Sequence, residues 1–528
     1  MRNRLSKLKF PKLDYLFVAM ALSLFVISAI FRMGIPTEPR DKMIFDENYF
    51  VVQTESYMVN RYFYDPHGIF GRIPLLVGHI LANPGYEEKL EPDKLADKSE
   101  NGYQSPLNLD GIRFFPKLIG SLIPVLMFVL CYQLINHKRN KERAIANYLI
   151  PYLGGLAIAF ENALILDSRI ALLSQPMFAM MLLTLIAGIR YMRARTRSGT
   201  IWAFIFLVLC VGLTLGTKMV AYSVIPFALL MVIWKEYHSL ENMRPVRRLA
   251  AGIITSLLIV YLGFLMYLGS FIWHFDQLHT YGPSAASALE SYQKDLKEGT
   301  NETPFLAKYW DWQQRSLRYQ QYVPELDYTK PDEIGSLWIN WPINARPIQY
   351  WTEFTSGANA TYAGLVTLGN PVVWALGLIG VLLLTGFGVA RLLIGKNGFG
   401  WTHALVLALY FANWLPFAPI RRVMYIYHYY PALIFSVIAF TLFCYTFVVP
   451  RLAQVLPVLV SKIKTRAKIV LHNPLEVSTV IIFVSLLIAI VIGFYIYAPF
   501  TYKLPLNKDQ FEARLIFYKE WNLKWPGK

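Results

Sequence analysis

The sequence predicts an all-α polytopic membrane protein with about eleven transmembrane helices and two large outer loops that carry surface helices. Three observations lead there. The chain of 528 residues is 55% hydrophobic and only 16% charged, less charge than a soluble protein of this length carries. Its apolar runs recur at lengths that match a bilayer. Its basic residues gather in the short segments between those runs, the distribution that orients helices in a membrane. The net charge of +17 therefore argues for membrane topology and against a nucleic-acid partner.

The elements follow in order. Arg2, Arg4, Lys7, Lys9 and Lys12 precede the first run, residues 15–31. No small-residue cleavage site follows it, so it reads as a retained helix rather than a signal peptide. Residues 32–112 form the first outer segment; within it, 73–81 is apolar but too short to span and reads as an interfacial or re-entrant helix. Spans 114–135 and 144–160 flank Lys138, Arg139, Lys141 and Arg143. Spans 170–189 and 201–215 flank Arg190, Arg193, Arg195 and Arg197. Spans 219–234 and 249–272 flank Lys235, Arg244, Arg247 and Arg248. The second outer segment is 273–371. Spans 372–390 and 401–416 then flank Arg391 and Lys396, and spans 424–449 and 477–499 flank Arg451, Lys462, Lys464, Arg466 and Lys468. Eleven crossings put every basic group on the cytoplasmic face of the plasma membrane, with the N-terminus inside and the C-terminus outside. The chain divides accordingly into a transmembrane module at 1–272, an outer loop at 273–371, and a second module with an outer tail at 372–528.

Cys131, Cys210 and Cys444 fall inside apolar runs and show neither a disulfide framework nor a zinc spacing; no metal site is expected. Asn301-Glu-Thr and Asn359-Ala-Thr carry the N-glycosylation pattern on the outer side. Both outer segments are too long for simple turns and too aromatic for disorder.

Polar residues at span ends carry the chemistry. Asp46, Glu47, Asp65, His67, Arg72, Arg113, Glu161, Asn162, Arg169, Lys218, His274, Arg346, Arg421, Arg422 and His428 all map to an outer span end or an outer loop. Ionisable groups beside lipid are functional candidates by default. The cations suit a phosphate headgroup on a long isoprenoid tail, through bidentate arginine contacts or the point charge of a lysine. A carboxylate pair beside them suits a general base acting on a hydroxyl. Each feature also has a plainer reading. Asp46–Glu47 could be a solvated pair, Arg421–Arg422 a headgroup anchor, Lys218 a snorkelling side chain, and His428 a packing histidine. Their shared face favours the chemical reading.

The ordered motifs resemble the protein O-mannosyltransferases, membrane glycosyltransferases of the GT-C fold. "FDENYF" is similar to that family's Asp-Glu motif. "YDPHGIFGR" resembles an Asp-x-His-Pro-Pro-x-Gly-Lys segment, with Asp65, His67 and Gly71 matching, both prolines missing and Arg72 in place of lysine. "RFFPKLIGSL", "ENALILDSRIALL", "LGTKMVAYSVIP", "FIWHFDQLHTYGP", "WPINARPIQYW", "LGNPVVW", "ANWLPFAPIRRVMYIYHYYPAL" and "LPLNKDQFEARLIFYKEW" follow in family order. The resemblance implies a polyprenyl-phosphate sugar donor, a protein or peptide acceptor, a lipid bilayer environment and no cofactor. It implies Asp46 as the essential carboxylate, with Glu47 positioning the acceptor. Arg113 and Lys218 would hold the donor phosphate, joined by Arg422, and the Asp65/His67 segment would shape the pocket. Arg72, Glu161, Asn162, Arg169, His274, Arg346 and His428 remain further pocket candidates. The second outer segment of about a hundred residues implies a prokaryotic-type member without the β-trefoil module of eukaryotic relatives. The expected reaction is mannosyl transfer to Ser or Thr hydroxyls at the outer face, with inversion. A related GT-C enzyme acting on lipid A or a wall glycan is one alternative; a transporter of lipid-linked substrates is another.

The alternation of basic loops makes a direct prediction. Single cysteines placed near Glu88 and near Thr196 label with an impermeant thiol reagent from opposite sides of the membrane. Labelling from one side would overturn the proposed topology.

Overall fold

A computed structural model of the chain describes residues 14–91, 102–135, 145–322, 325, 335–357, 359–395, 400–463 and 473–515. The basic residues at 2–12, 138–143, 396 and 464–468, and the tail beyond 515, lie outside the described residues.

The apolar runs fold as helices. α1 (Tyr15–Met33) begins where the Asp14 carboxylate accepts a hydrogen bond from the Phe17 amide at 3.2 Å, the usual way an orphan N–H of the first turn is satisfied. α2 (Glu47–Met58) and α3 (Ile73–Ala82) occupy the first long connection. The N-terminal bundle then continues with α4 (Leu109–Ile135), α5 (Ala146–Ala159), α6 (Asn162–Ser168), α7 (Ser174–Arg193), α8 (Arg197–Leu215), α9 (Ile225–Ser239) and α10 (Pro245–Gln277). The second long connection holds α11 (Glu290–Glu298), α12 (Phe305–Tyr322) and an antiparallel hairpin, β1 (Gln349–Thr355) with β2 (Thr361–Val366). α13 (Pro371–Leu393), α14 (Trp401–Ala412), α15 (Tyr430–Phe443), α16 (Val449–Ile463), α17 (Pro474–Thr501) and α18 (Lys508–Arg514) complete the described chain.

Among the described residues, nine helical segments are long and apolar enough to cross a membrane. A tenth arises if α5 and α6, bent by 60° at their junction, are taken as one broken span. The difference from eleven lies at 401–416. That run forms only the 12-residue α14, about 18 Å of helix at 1.5 Å per residue, short of a hydrocarbon core about 30 Å thick. It stops at Asn413, which is tied to Ser223 by a 2.8 Å hydrogen bond. The two long connections are helical as expected, but the second also carries the hairpin, which an all-helical reading did not contain. The hairpin is bound to the C-terminal segment through Tyr362 N to Leu506 O at 2.9 Å.

The two long connections pack on each other. Tyr62 N donates to Thr280 O at 2.9 Å, and Thr280 N to Asn60 O at 3.0 Å. Trp312 of α12 buries its ring against Phe271, His274 and Phe275 at the end of α10.

The α5–α6 bend is held by a buried polar knot. The Glu161 carboxylate accepts from Leu164 N at 2.6 Å, capping α6, and from Asn370 N and Trp374 Nε1 at 2.9 Å each, at the start of α13. Asn162 Nδ2 donates to Thr501 Oγ1 at 2.8 Å and to Phe494 O at 3.2 Å on α17. Glu161 is wholly buried. Glu161→Ala leaves three buried donors unsatisfied and is expected to cost on the order of 3 kcal/mol, read as a lower thermal midpoint in detergent. Glu161→Gln, whose amide oxygen still accepts, is expected to cost less.

Candidate active site

The site begins at the turn before α2. Phe45 has φ 53°, a left-handed backbone that a non-glycine residue adopts only where the surroundings hold it. Its ring stacks on Tyr350 at 4.0 Å between centroids. The turn sends the next two side chains in different directions. Glu47 points into the protein, while Asp46, half-buried at the helix start, makes no side-chain cap.

Glu47 has zero exposure and meets Arg113 in two hydrogen bonds, Nε to Oε1 at 2.7 Å and Nη2 to Oε2 at 2.6 Å. The same carboxylate accepts from Ile44 N at 3.0 Å and Ala171 N at 2.7 Å. Arg113 also donates to Pro39 O at 2.6 Å and Lys42 O at 3.0 Å. Both residues are therefore committed to holding the turn. Arg113, expected to hold the donor phosphate, is fully buried with its donors engaged by Glu47, Pro39 and Lys42. Glu47 likewise faces Arg113, not an acceptor.

The Asp65–Arg72 loop approaches from the other side. Gly68 N donates to Thr217 O at 2.8 Å and Gly71 N to Gly216 O at 3.0 Å. The approach needs glycine, since a Cβ on Gly68 would lie 2.4 Å from the backbone of Gly216. The loop is thus pinned to the residues just before Lys218. Within it, Arg72 pairs with Asp65 and donates to Gln53 Oε1 at 2.7 Å, His67 O at 3.0 Å and Gly68 O at 2.8 Å. Asp65 also accepts from His67 N at 2.9 Å and Gln53 Nε2 at 3.2 Å. Burial pushes the Asp65 carboxyl up, but Arg72, His67 and these hydrogen bonds outweigh it and hold the group below its ordinary value. Burial drives His67 down to about 4, so it is neutral near pH 7.

Lys218 stands between α8 and the 3-10 turn Met219–Val224. Its ammonium lies 5.9 Å from the Phe50 ring centroid. Burial lowers its proton affinity, and the carboxylates of Asp167, Asp46 and Asp65 act against that. Arg422 lines another side. Its Nη1 donates to Val423 O at 3.1 Å, while its buried Nε has no hydrogen-bond partner among the described residues. Its charge reaches Tyr319 and His428, and Tyr319 in turn feels Asp65 and Asp46. Burial and those two carboxylates push the Tyr319 phenol up. His428 is held through Nδ1 by Tyr425 O at 2.9 Å and lies parallel to Trp341 at 6.0 Å.

The structure thus brings together Asp46, Asp65, His67, Arg72, Lys218, Arg422 and His428. The remaining candidates lie among other partners. Arg169 is buried against Glu38, Thr37 and the Tyr502 ring. Glu161 and Asn162 form the knot at the bend. His274 is buried with Nδ1 2.7 Å from the Tyr57 hydroxyl. Arg346, also in a left-handed conformation, donates to Gly335 O at 3.1 Å. Sequence reasoning overlooked Asp167, Tyr319 and Tyr350. The signal for Asp167 was present, a carboxylate inside the apolar stretch "LILDSRIALL".

Comparison with known proteins follows the same lines. Residues 22–279 match the family described as dolichyl-phosphate-mannose-protein mannosyltransferase. Residues 305–521 match the C-terminal four TMM region of protein-O-mannosyltransferase. Protein O-mannosyltransferase 1 of Drosophila pseudoobscura pseudoobscura is 26% identical over 265 residues, 49% of this chain and 27% of the relative. Dolichyl-phosphate-mannose–protein mannosyltransferase 4 of Saccharomyces cerevisiae is 25% identical over 298 residues, 54% of this chain and 36% of the relative. The matched stretch thus spans about a third or less of these relatives' length. The structure of the S. cerevisiae protein O-mannosyltransferase Pmt1-Pmt2 complex bound to the sugar donor superposes with a TM-score of 0.75 at 13% identity, over 99% of this chain and 94% of that one. With both family regions matched in order along the chain and the whole fold shared, this integral, multi-pass membrane protein of GT-C fold belongs to the protein O-mannosyltransferase family.

Proposed function

We propose that this protein transfers a mannosyl residue from a polyprenyl-phosphate-linked donor to Ser or Thr hydroxyls of proteins at the outer membrane face, inverting the anomeric carbon. The observation that carries the reading is the placement of Asp46. Its charge favours the Lys218 ammonium, and it sits at the end of a left-handed turn beside the Glu47–Arg113 pair that fixes that turn. The acceptor oxygen attacks the anomeric carbon opposite the phosphate. The new carbon–oxygen bond forms as the bond to the phosphate oxygen breaks, and Asp46 takes the hydroxyl proton. Lys218 and Arg422 stabilise the departing phosphate, where negative charge grows. That Arg422 Nε has no partner among the described residues supports its part in this. Asp65, engaged by Arg72, is the less suitable base, because ion pairing lowers its affinity for the acceptor proton.

Asp46→Asn keeps the side chain's size and removes its basic oxygen. The variant is expected to fold and bind a polyprenyl phosphate like the parent but to lose transfer by about 10²–10⁴-fold, the usual contribution of a general base. Near-normal turnover at saturating acceptor would assign the base elsewhere, with Asp65 next. Arg113→Ala is expected to fail differently. Stranding buried Glu47 costs about 3–5 kcal/mol, so loss of stability in a thermal melt precedes any specific change in donor KM. On the donor side, purified protein is expected to use polyprenyl-phosphate mannose and to ignore a soluble nucleotide sugar. Efficient transfer from GDP-mannose with lipid carriers absent would overturn the proposal.

A further inference from the structure

The two helices at the start of the second long connection turn different faces outward. The exposed residues of α11 are Glu290, Ser291, Lys294, Lys297 and Glu298, all polar, as a helix face in water requires. α12 instead exposes Leu306, Trp310 and Leu317 at 69%, 63% and 69%. At 3.6 residues per turn these three fall within about 40° of one another, so they form one apolar stripe. Arg318 and Tyr319, also exposed, project from other faces. Single exposed apolar side chains are ordinary on any surface, but a row of them along one face calls for a partner.

The height of each helix along α10 says which partner. α10 carries exposed apolar residues from Leu249 to Trp273, about 36 Å of helix. A hydrocarbon core about 30 Å thick, centred on that stretch, ends close to Phe271. α11 is anchored beyond this level: the Tyr292 ring meets Phe275 at 5.8 Å between centroids, and its hydroxyl donates to Leu278 O at 3.3 Å. α12 reaches below it. Phe305 meets Phe275 at 6.2 Å, but Tyr309 meets Phe271 at 5.2 Å and Tyr267 at 6.3 Å. Gln313 Nε2 donates to the Tyr267 hydroxyl at 3.0 Å. The helix that stands clear of the core thus shows a polar face, and the helix at its edge shows an apolar one.

We propose that α12 is an interfacial helix whose Leu306–Trp310–Leu317 face is embedded in the phospholipid leaflet around the C-terminal end of α10. The stripe continues the lipid-facing surface of α10 at the same depth. Trp310 suits the headgroup level, where an indole keeps its ring in apolar surroundings and its N–H near water. An amphipathic helix seated this way sinks its apolar face about 5–10 Å into the boundary between headgroups and acyl chains. The helix also reaches the candidate site. Arg315 Nη2 donates to the Tyr62 hydroxyl at 2.6 Å, and the Tyr64 hydroxyl to Ser316 Oγ at 3.2 Å, one residue before Asp65. α12 is therefore a partition with lipid on one face and the approach to the Asp65–Arg72 loop on another.

The test places one spin label at a time on the full-length protein in phosphatidylcholine vesicles. It reads collisions with oxygen, which partitions into lipid, and with a water-soluble nickel chelate. Leu306→Cys and Leu317→Cys carry the label on the stripe. Leu257→Cys, on the exposed side of α10, sets the lipid value, and Ser291→Cys, on α11, sets the water value. Cys131, Cys210 and Cys444 are buried, and the parent protein supplies the blank. Both α12 labels are expected to collide with oxygen as the Leu257→Cys label does and to lose the nickel collisions seen at Ser291→Cys. Nickel collisions at the Ser291→Cys level would place the stripe in water. Loss of collisions with both reagents would show that protein, such as a second copy of this chain, covers it. Either result overturns the inference. Trp310→Phe keeps the stripe apolar and gives a second reading if the cysteine variants do not fold. The emission of the parent less that of Trp310→Phe isolates one of the 13 tryptophans. That difference is expected to be lost in vesicles of brominated phosphatidylcholine, which quenches indoles in contact with acyl chains; a difference that survives bromination overturns the inference as well.

Discussion

The site depends on one buried ion pair. Glu47 and Arg113 share two hydrogen bonds with no exposure to solvent. A pair this deep contributes little net stability, because desolvation offsets much of its attraction, yet it is costly to break from one side. Its value lies in what else the two residues hold. Through Arg113 the pair binds Pro39 and Lys42 of the first outer segment to α4. Through Glu47 it binds Ile44 of the turn and Ala171 of the α6–α7 link. Ala171 lies four residues beyond Asp167, so one carboxylate sets the frame for both Asp46 and Asp167.

The same pair explains why two acids stand side by side at the start of α2. Successive residues at a helix start project in different directions. One of the two can therefore face the interior and the other a cleft. The left-handed Phe45 sets the rotation that gives Glu47 to Arg113 and leaves Asp46 toward Lys218. An Asp-Glu order is what this geometry needs: the longer glutamate reaches across to α4 and to Ala171, and the shorter aspartate stays at the helix end.

Much of the fold was legible because lipid forces long apolar runs. The retained first helix, the two long outer segments and the break around Lys218 all follow from hydropathy and the position of charges. The discrepancy at α14 arises because an apolar run says where a chain prefers lipid, not whether Asn413 and a turn will end the helix early. The motifs located the Asp46, Asp65 and Lys218 segments, but residue type could not separate a site from a support. Glu161, Asn162 and Arg169 are polar residues in apolar surroundings, as Asp65 and His67 are. The first three are engaged by Asn370 N, Trp374, Thr501 and Glu38, partners more than a hundred residues away in sequence. Arg113 looked like a phosphate ligand for the same reason. Asp167, a single acid in a motif of apolar residues, stands out only once its buried place against Ser174 and Gln175 is seen.

Charge balance gives the arrangement its logic on the proposed reading. Asp46 and Asp65 share a partly buried region with Lys218, Arg72 and Arg422. His67, driven down to about 4 by burial, adds no charge near pH 7. A donor phosphodiester brings one negative charge and leaves as a monoester with two. The acceptor proton passes to Asp46 in the same step and removes one negative charge there. The total charge of the site with its ligands is therefore unchanged across the reaction, although the negative charge moves from the carboxylate to the phosphate. In a low-dielectric site this matters, because a change in net charge would be opposed far more strongly than in water. A base placed beside the lysine that meets the phosphate lets one cation stabilise the negative charge at both ends of its path.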